Sequence, residues 1–221
     1  MLGTWEVPKQ PFDSAELKVK DKMLLLVLVF AMATSRTAIA SDPDITSDFI
    51  VPLNTSCVDG KFFTYTGFRG VFDNIPTAFN VSKASMVEFP ALNGQSVSYA
   101  VLQFPAGGVN PLHTHPRSAE LLFLVDGVLE VGFVDTKNIL YTQKLKVGDM
   151  FVFPKGLVHY QYNRNHDVPA TAISAFGSAS AGTVSVPISI FATGIDDVIL
   201  AKAFQTDVAT ITKIKAGISQ P

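Results

Sequence analysis

From Ser41 to Ile190 short apolar runs alternate with glycine, proline, asparagine and aspartate, at intervals of about 8–12 residues. The runs are rich in Val, Phe, Leu, Tyr and Thr. Val97–Phe104, Glu120–Val125, Leu129–Val134, Met150–Phe153 and His159–Tyr162 are examples. Many short runs at this spacing predict an all-β sandwich or barrel. Asp126-Gly127 sits between two of them and predicts a hairpin turn. From Ile195 onward the period changes. Ile195, Ile199, Ala203, Val208, Ile211 and Ile214 recur every three to five residues, which predicts one or two amphipathic helices over about 195–216. Such a tail packs either against a partner subunit or over the open end of its own barrel.

The first 40 residues follow a different pattern. Leu24 to Ala33 reads LLLVLVFAMA, preceded by Lys18, Lys20 and Lys22 and followed by the small-x-small site Ala38-Ile39-Ala40. This is the three-part layout of a secretory signal peptide, and the run is too short for a membrane span. Residues 1–40 are therefore assigned to a leader and signal peptide with its apolar region at 24–33, and 41–221 to a single domain. Either Met1 or Met23 opens the chain. Secretion makes Asn54-Thr55-Ser56 and Asn80-Val81-Ser82, both in segments that read as loops, candidate N-glycosylation sites at Asn54 and Asn80.

Composition narrows the chemistry. Hydrophobic residues make up 48% of the 221 and charged residues 16%, which excludes an intrinsically disordered chain. After removal of 1–40, 12 basic and 15 acidic side chains remain, with no basic stripe for nucleic acid. The chain has one cysteine, Cys57, so no intrachain disulfide forms and no Cys-based metal cluster is available. Cys57 is either buried and inert or pairs with another chain. No GxSxG elbow, P-loop or GxGxxG fingerprint occurs.

Four histidines remain: His113, His115, His159 and His166. In a strand, the side chains of His113 and His115 point to one face. Glu120 follows at the head of an apolar run, where an unpartnered buried carboxylate is costly. His159 opens another strand after Pro154-Lys155-Gly156. Three imidazoles and one carboxylate suit a divalent metal with open positions, and they do not by themselves name the metal. A divalent ion with one carboxylate keeps a net positive charge and attracts a small anion. His166 lies in a polar stretch and reads as a solvated loop residue.

Two spaced motifs extend this set. Gly107-(x5)-His113-x-His115-(x4)-Glu120-(x6)-Gly127 and Gly148-(x5)-Pro154-x-Gly156-(x2)-His159-(x3)-Asn163 resemble the two cupin motifs in their germin form. The segments Ser41-Asp42-Pro43-Asp44 and Ala201-Lys202-Ala203-Phe204-Gln205 are also similar to germin-like proteins, and the resemblance spans 41–221. It implies a β-jellyroll barrel with C-terminal helices, and a glycoprotein secreted to the apoplast or cell wall. It further implies a homohexamer built as a trimer of dimers, and manganese held at the positions of His113, His115, Glu120 and His159. Among germin-like proteins some are oxalate oxidases, some have superoxide dismutase activity, and many have no assigned catalysis.

The chain departs from the germin pattern at two places. Germins carry an N-terminal disulfide whose first cysteine follows Asp-Phe. Here that position is Ile50, and Cys57 does not match the second cysteine. Loss of such a staple costs roughly 2–5 kcal/mol unless compensated, and apolar contact around Phe49 and Ile50 is a candidate replacement. Oxalate-oxidising germins also place asparagines three and thirteen positions before the first ligand histidine. Asn110 keeps the near one as a possible orienting residue, whereas the far one is Ala100, which cannot hydrogen-bond a carboxylate. The leading expectation is thus a manganese-dependent oxidoreductase that dismutates superoxide. The alternative is a non-enzymatic storage, receptor-like or wall-associated protein with a structural metal.

Overall fold

Strand β4 (Glu120–Asp126) shows how the sequence pattern becomes architecture. Glu120, Leu122 and Leu124 are buried while Leu121, Phe123 and Val125 are exposed, the two-residue alternation of a sheet with one covered face. The computed structural model, which describes residues 42–218 apart from 54, 56, 57 and 75, has ten strands among those residues. They are β1 (Asn80–Ala84), β2 (Ser98–Phe104), β3 (Val109–Thr114), β4, β5 (Val128–Val134), β6 (Leu140–Lys146), β7 (Met150–Phe153), β8 (Val158–Tyr162), β9 (Ala170–Phe176) and β10 (Val184–Ser185). The expected leader and signal peptide, Asn54 and Cys57 lie outside the described residues.

Two five-stranded antiparallel sheets result, with orders β1-β2-β9-β4-β7 and β10-β3-β8-β5-β6. Only β1 with β2 and β5 with β6 pair with their chain neighbours among the described strands. Every other connection crosses between the sheets, which is jellyroll connectivity. The sheets close over Leu102, Phe104, Leu122, Leu124, Leu129, Val131 and Phe153, each at most 3% exposed.

Asp126-Gly127 does not form the expected hairpin. Its flanking strands, β4 and β5, lie in different sheets. The turn is a corner that carries the chain from one sheet to the other. Gly127 has φ 79°, and a Cβ there would stand 2.5 Å from the Pro169 carbonyl oxygen. Glycine is needed both for its backbone and for the close approach. The true hairpin joins β5 to β6, where Asp135 Oδ1 accepts from the backbone N–H groups of Lys137 and Ile139 at 2.8 and 2.9 Å.

The N-terminal segment is held by packing and hydrogen bonds. Asp42 accepts from Ser178 Oγ at 2.5 Å and from the Ala179 N–H at 2.6 Å. Phe49 meets Phe63 edge-on at 5.1 Å, and Phe63 meets Phe62 at 4.9 Å. The Ile50 side chain packs over Gly94. Phe49 and Ile50 thus both make apolar contacts within the described residues.

Three helices follow the barrel: α1 (Val186–Phe191), α2 (Asp197–Ala203) and α3 (Val208–Ile218). The latter two fall in the segment whose periodicity changed. α1 lies before it and starts at a proline, Pro187, a favoured first-turn residue. Asp196 caps α2 by accepting from Val198 and Ile199, and Lys215 ties α3 to Asp197 at 2.5 Å. Leu200, Ala201 and Ile211 form the buried centre of this unit, with Ile190 and Phe191 against them.

Candidate metal centre

The pairing of β3 with β8 places most of the site. His113 lies opposite His159, and Asn110 lies opposite Gln161. Residues three apart on a regular strand face opposite ways, yet both Asn110 and His113 point into the barrel. The register shift between them, across Pro111 and Leu112, resolves this: the irregularity re-aims one side chain. His115 stands just past the end of β3. Glu120 comes from the facing sheet rather than from a strand adjacent to β3. The cluster therefore sits between the sheets, with His113, His115, Glu120 and His159 all at most 6% exposed.

Each imidazole is oriented by a backbone carbonyl. His113 Nδ1 meets the Pro111 oxygen at 2.7 Å, His115 Nδ1 the Gly182 oxygen at 2.5 Å, and His159 Nδ1 the Leu157 oxygen at 2.8 Å. With Nδ1–H donating outward, each ring presents Nε2 inward. Phe153 stacks on His159 at 4.5 Å, and Phe176 meets His115 edge-on at 4.8 Å, so the rings are also fixed by packing. The loop that carries Gly182 is pinned by Arg117, which donates to the Ser180 carbonyl and to Ser180 Oγ. Gly182 has φ 71°, and a Cβ on it would press on that guanidinium at 2.7 Å.

One ligand-type atom from each of the four residues lies within 4.8 Å of the others. His115 Nε2 and His159 Nε2 stand 3.1 and 3.2 Å from the same oxygen, Glu120 Oε2. A divalent cation among the three Nε2 atoms and the carboxylate would satisfy all four groups together. The donor set and its burial fit such an ion.

The other carboxylate oxygen is also held. Glu120 Oε1 accepts from Ser174 Oγ at 2.5 Å and from Gln161 Nε2 at 3.3 Å. Gln161 Oε1 in turn accepts from Asn110 Nδ2 at 2.7 Å, which places that amide 3.5 Å from His113 Nε2. Gln161 and Ser174 are both fully buried and were not singled out from the sequence. Gln161 stands two positions after His159, on the same face, and that spacing was the available signal. Asn80 is exposed at the first residue of β1, a strand end rather than a loop, and His166 lies beside Gly107, outside the cluster.

Burial pushes the His113 ring down to about 4, from an ordinary value of 6.5, and the neighbouring His159 adds to this. Burial pushes the Glu120 carboxyl up, but hydrogen bonds from His115 and His159 outweigh it and hold the group well below the usual carboxylate range. For His113 the unfolded chain binds the proton more readily than the folded one. Its contribution is full above pH 6.5 and is lost as pH falls toward 4. Glu120 loses its contribution over a lower window in the same direction. Metal-free protein should therefore melt at steadily lower temperature as pH drops from 6.5 to 4 in scanning calorimetry, and a flat profile would contradict the burial of these groups.

A pocket of about 460 Å³ opens over the cluster, with Asn110, His113, His115 and Glu120 on its floor. Ala100, on β2, is buried in its wall.

The cupin family matches residues 71–212. Germin-like protein 9-3 of Oryza sativa subsp. japonica is 58% identical over 207 residues, covering 90% of this chain and 96% of that protein. Nectarin-1 of Nicotiana plumbaginifolia is 34% identical, covering 87% and 90%. Among solved structures, an oxalate oxidase superposes with a TM-score of 0.71 at 28% identity, over 81% of this chain and 98% of that one.

Proposed function

We infer that this chain, which belongs to the germin-like proteins of the cupin family, is a secreted manganese-binding oxidoreductase of small anions, with superoxide as its substrate. The carrying observation is the convergence of three inward imidazole nitrogens and one carboxylate beneath an open pocket. Manganese there would supply a one-electron couple, so that one superoxide is oxidised to O₂ and a second, with two protons, is reduced to H₂O₂. The chain's own residues do the rest. His113, His115, Glu120 and His159 hold the ion. Gln161 and Ser174 hold the Glu120 carboxylate in place, and Asn110 presents an amide at the pocket floor. The closed sheets keep bulk water from the cluster's sides.

The oxalate oxidase likeness would extend oxalate chemistry to this chain, but Ala100 leaves no donor at that wall for a second carboxylate oxygen. Elemental analysis and paired assays on one sample test the reading. We expect one manganese per chain, superoxide loss faster than with equal free Mn²⁺, and no H₂O₂ from oxalate. Metal-replete protein no faster than free Mn²⁺ would fit a non-enzymatic storage or wall-associated protein instead.

Two exposed apolar faces support a hexamer. One is the outer surface of β4 and β7, with Leu121, Phe123, Val125, Met150 and Val152. The other is on the helices, with Ile188, Val198, Ile199, Phe204 and Val208. A trimer of dimers needs two distinct self-associating faces, and patches this size rarely stay bare. Phe123→Lys should lower the mass seen by light scattering to that of a smaller assembly while metal content holds. An unchanged mass would remove that face from the assembly. An N-glycan on the exposed Asn80 fits the same secreted reading.

A further inference from the structure

The pocket is far larger than superoxide requires. A volume of 460 Å³ would hold roughly 15 waters at about 30 Å³ each, whereas a diatomic anion fills about one such share. Its lining is largely apolar and includes Val81, Ala100, Leu102 and Phe176. Charge is concentrated at the two ends. The floor carries the four-residue cluster, and Lys83 stands in the lining toward the exposed edge strand β1.

The sheet register fixes how these ends relate. Lys83 lies opposite Ala100, and Ala100 lies opposite Ser174. Cross-strand partners share a face, so all three belong to one inward row. Ser174 ends that row on Glu120, to which it donates at 2.5 Å. Lys83 is therefore two strand spacings, about 10 Å at the backbone, from a side chain that touches the cluster. The only residue between them is an alanine, whose small side chain leaves the path open. Glu88 lines the same pocket; the Ser85 hydroxyl holds its carboxyl below the ordinary value, and the Lys83 charge adds to this. Its Oε2 is taken by the Ser85 N–H at 2.9 Å and the Ser85 hydroxyl at 2.5 Å. Among the described residues no ion pair joins it to Lys83.

We propose that this pocket is a subsite for a linear dicarboxylate anion, with Lys83 at the mouth receiving the carboxylate that the cluster does not. A cationic end at each side of an apolar channel matches a molecule with two charged termini and a methylene middle. Oxalate is too short to reach both ends; acids of five or six carbons have the required length. The inference rests on the metal reading for its floor and goes beyond it by naming a second anchor and a ligand class.

The test is titration calorimetry of manganese-loaded protein with oxalate, succinate, glutarate and adipate, with metal content measured on the same samples. We expect affinity to rise along the series by about tenfold, the scale of one charge-assisted hydrogen bond. Lys83→Met, at an exposed position, should erase that gain, and Lys83→Arg should retain it. A lysine that merely guards the sheet edge would leave the series unchanged when replaced. Loaded protein with a flat series, or with a series indifferent to Lys83→Met, overturns the subsite and leaves the metal reading standing. A chain that takes up no manganese overturns the metal reading, and the subsite falls with it.

Discussion

Glu120→Gln protein should fold and yet leave purification with little or no manganese. Glu120 is the only anion in the cluster and is 1% exposed. Glutamine keeps the shape and can still accept from Ser174 and Gln161, so the barrel retains its hydrogen bonds. What disappears is the charge that balances a divalent ion among three neutral imidazoles. Removing one partner of a buried charge pair costs about 3–5 kcal/mol, which is at least a hundredfold in affinity. Metal analysis after dialysis against a weak chelator measures the loss directly. Circular dichroism on the same sample separates it from unfolding. Full occupancy in this variant would show that the carboxylate is not a ligand.

Ile211→Lys should break up the helical tail. The sequence places Ile211 on an apolar stripe whose cover is a partner subunit or the barrel end. The structure instead encloses it among α1, α2 and α3, with no exposed surface, beside Leu200 and Ala201. A lysine there either buries an unpaired charge or pushes the helices apart, and a cost of about 3–5 kcal/mol is expected for a buried charge without a partner. That exceeds what three short helices gain from so small a core. Limited proteolysis should then cut within 186–218 at rates far above the native chain, with the barrel's metal site still assembled. A native digestion pattern would contradict this packing. In the proposed hexamer, the exposed apolar residues on the same helices, Val198 and Ile199 among them, are the ones left to meet a partner.

The strands were legible because short apolar runs are bounded by glycine, proline, asparagine and aspartate, and in β4 burial also alternates from Glu120 to Val125. The cluster was legible for a related reason. His-x-His fixes two rings on one face wherever it lies in a strand, Glu120 heads an apolar run, and His159 follows the Pro154-Lys155-Gly156 turn into another strand. Three things were not legible. Asp126-Gly127 announces a turn, but local turn chemistry does not say which sheet receives the next strand; that is decided by the packing of β4 on β9 and of β5 on β8. α1 was hidden because Val186-Pro187-Ile188-Ser189-Ile190-Phe191 is rich in β-branched and aromatic residues, and tertiary contact with β3 and α3 overrides that preference. Gln161 sits two positions after His159 and so shares its face, but that spacing alone gives a neutral amide no role, and Ser174 has no such signal. Their role exists only through the register that brings β8 and β9 beside Glu120.

The central claim is that four side chains from two facing sheets share one ion. Anomalous diffraction at the manganese edge, on crystals of metal-loaded protein, addresses it directly. One peak per chain should appear between the sheets, within coordination distance of Nε2 of His113, His115 and His159 and of a Glu120 carboxylate oxygen. A peak elsewhere, or none in protein shown by analysis to carry manganese, would contradict it.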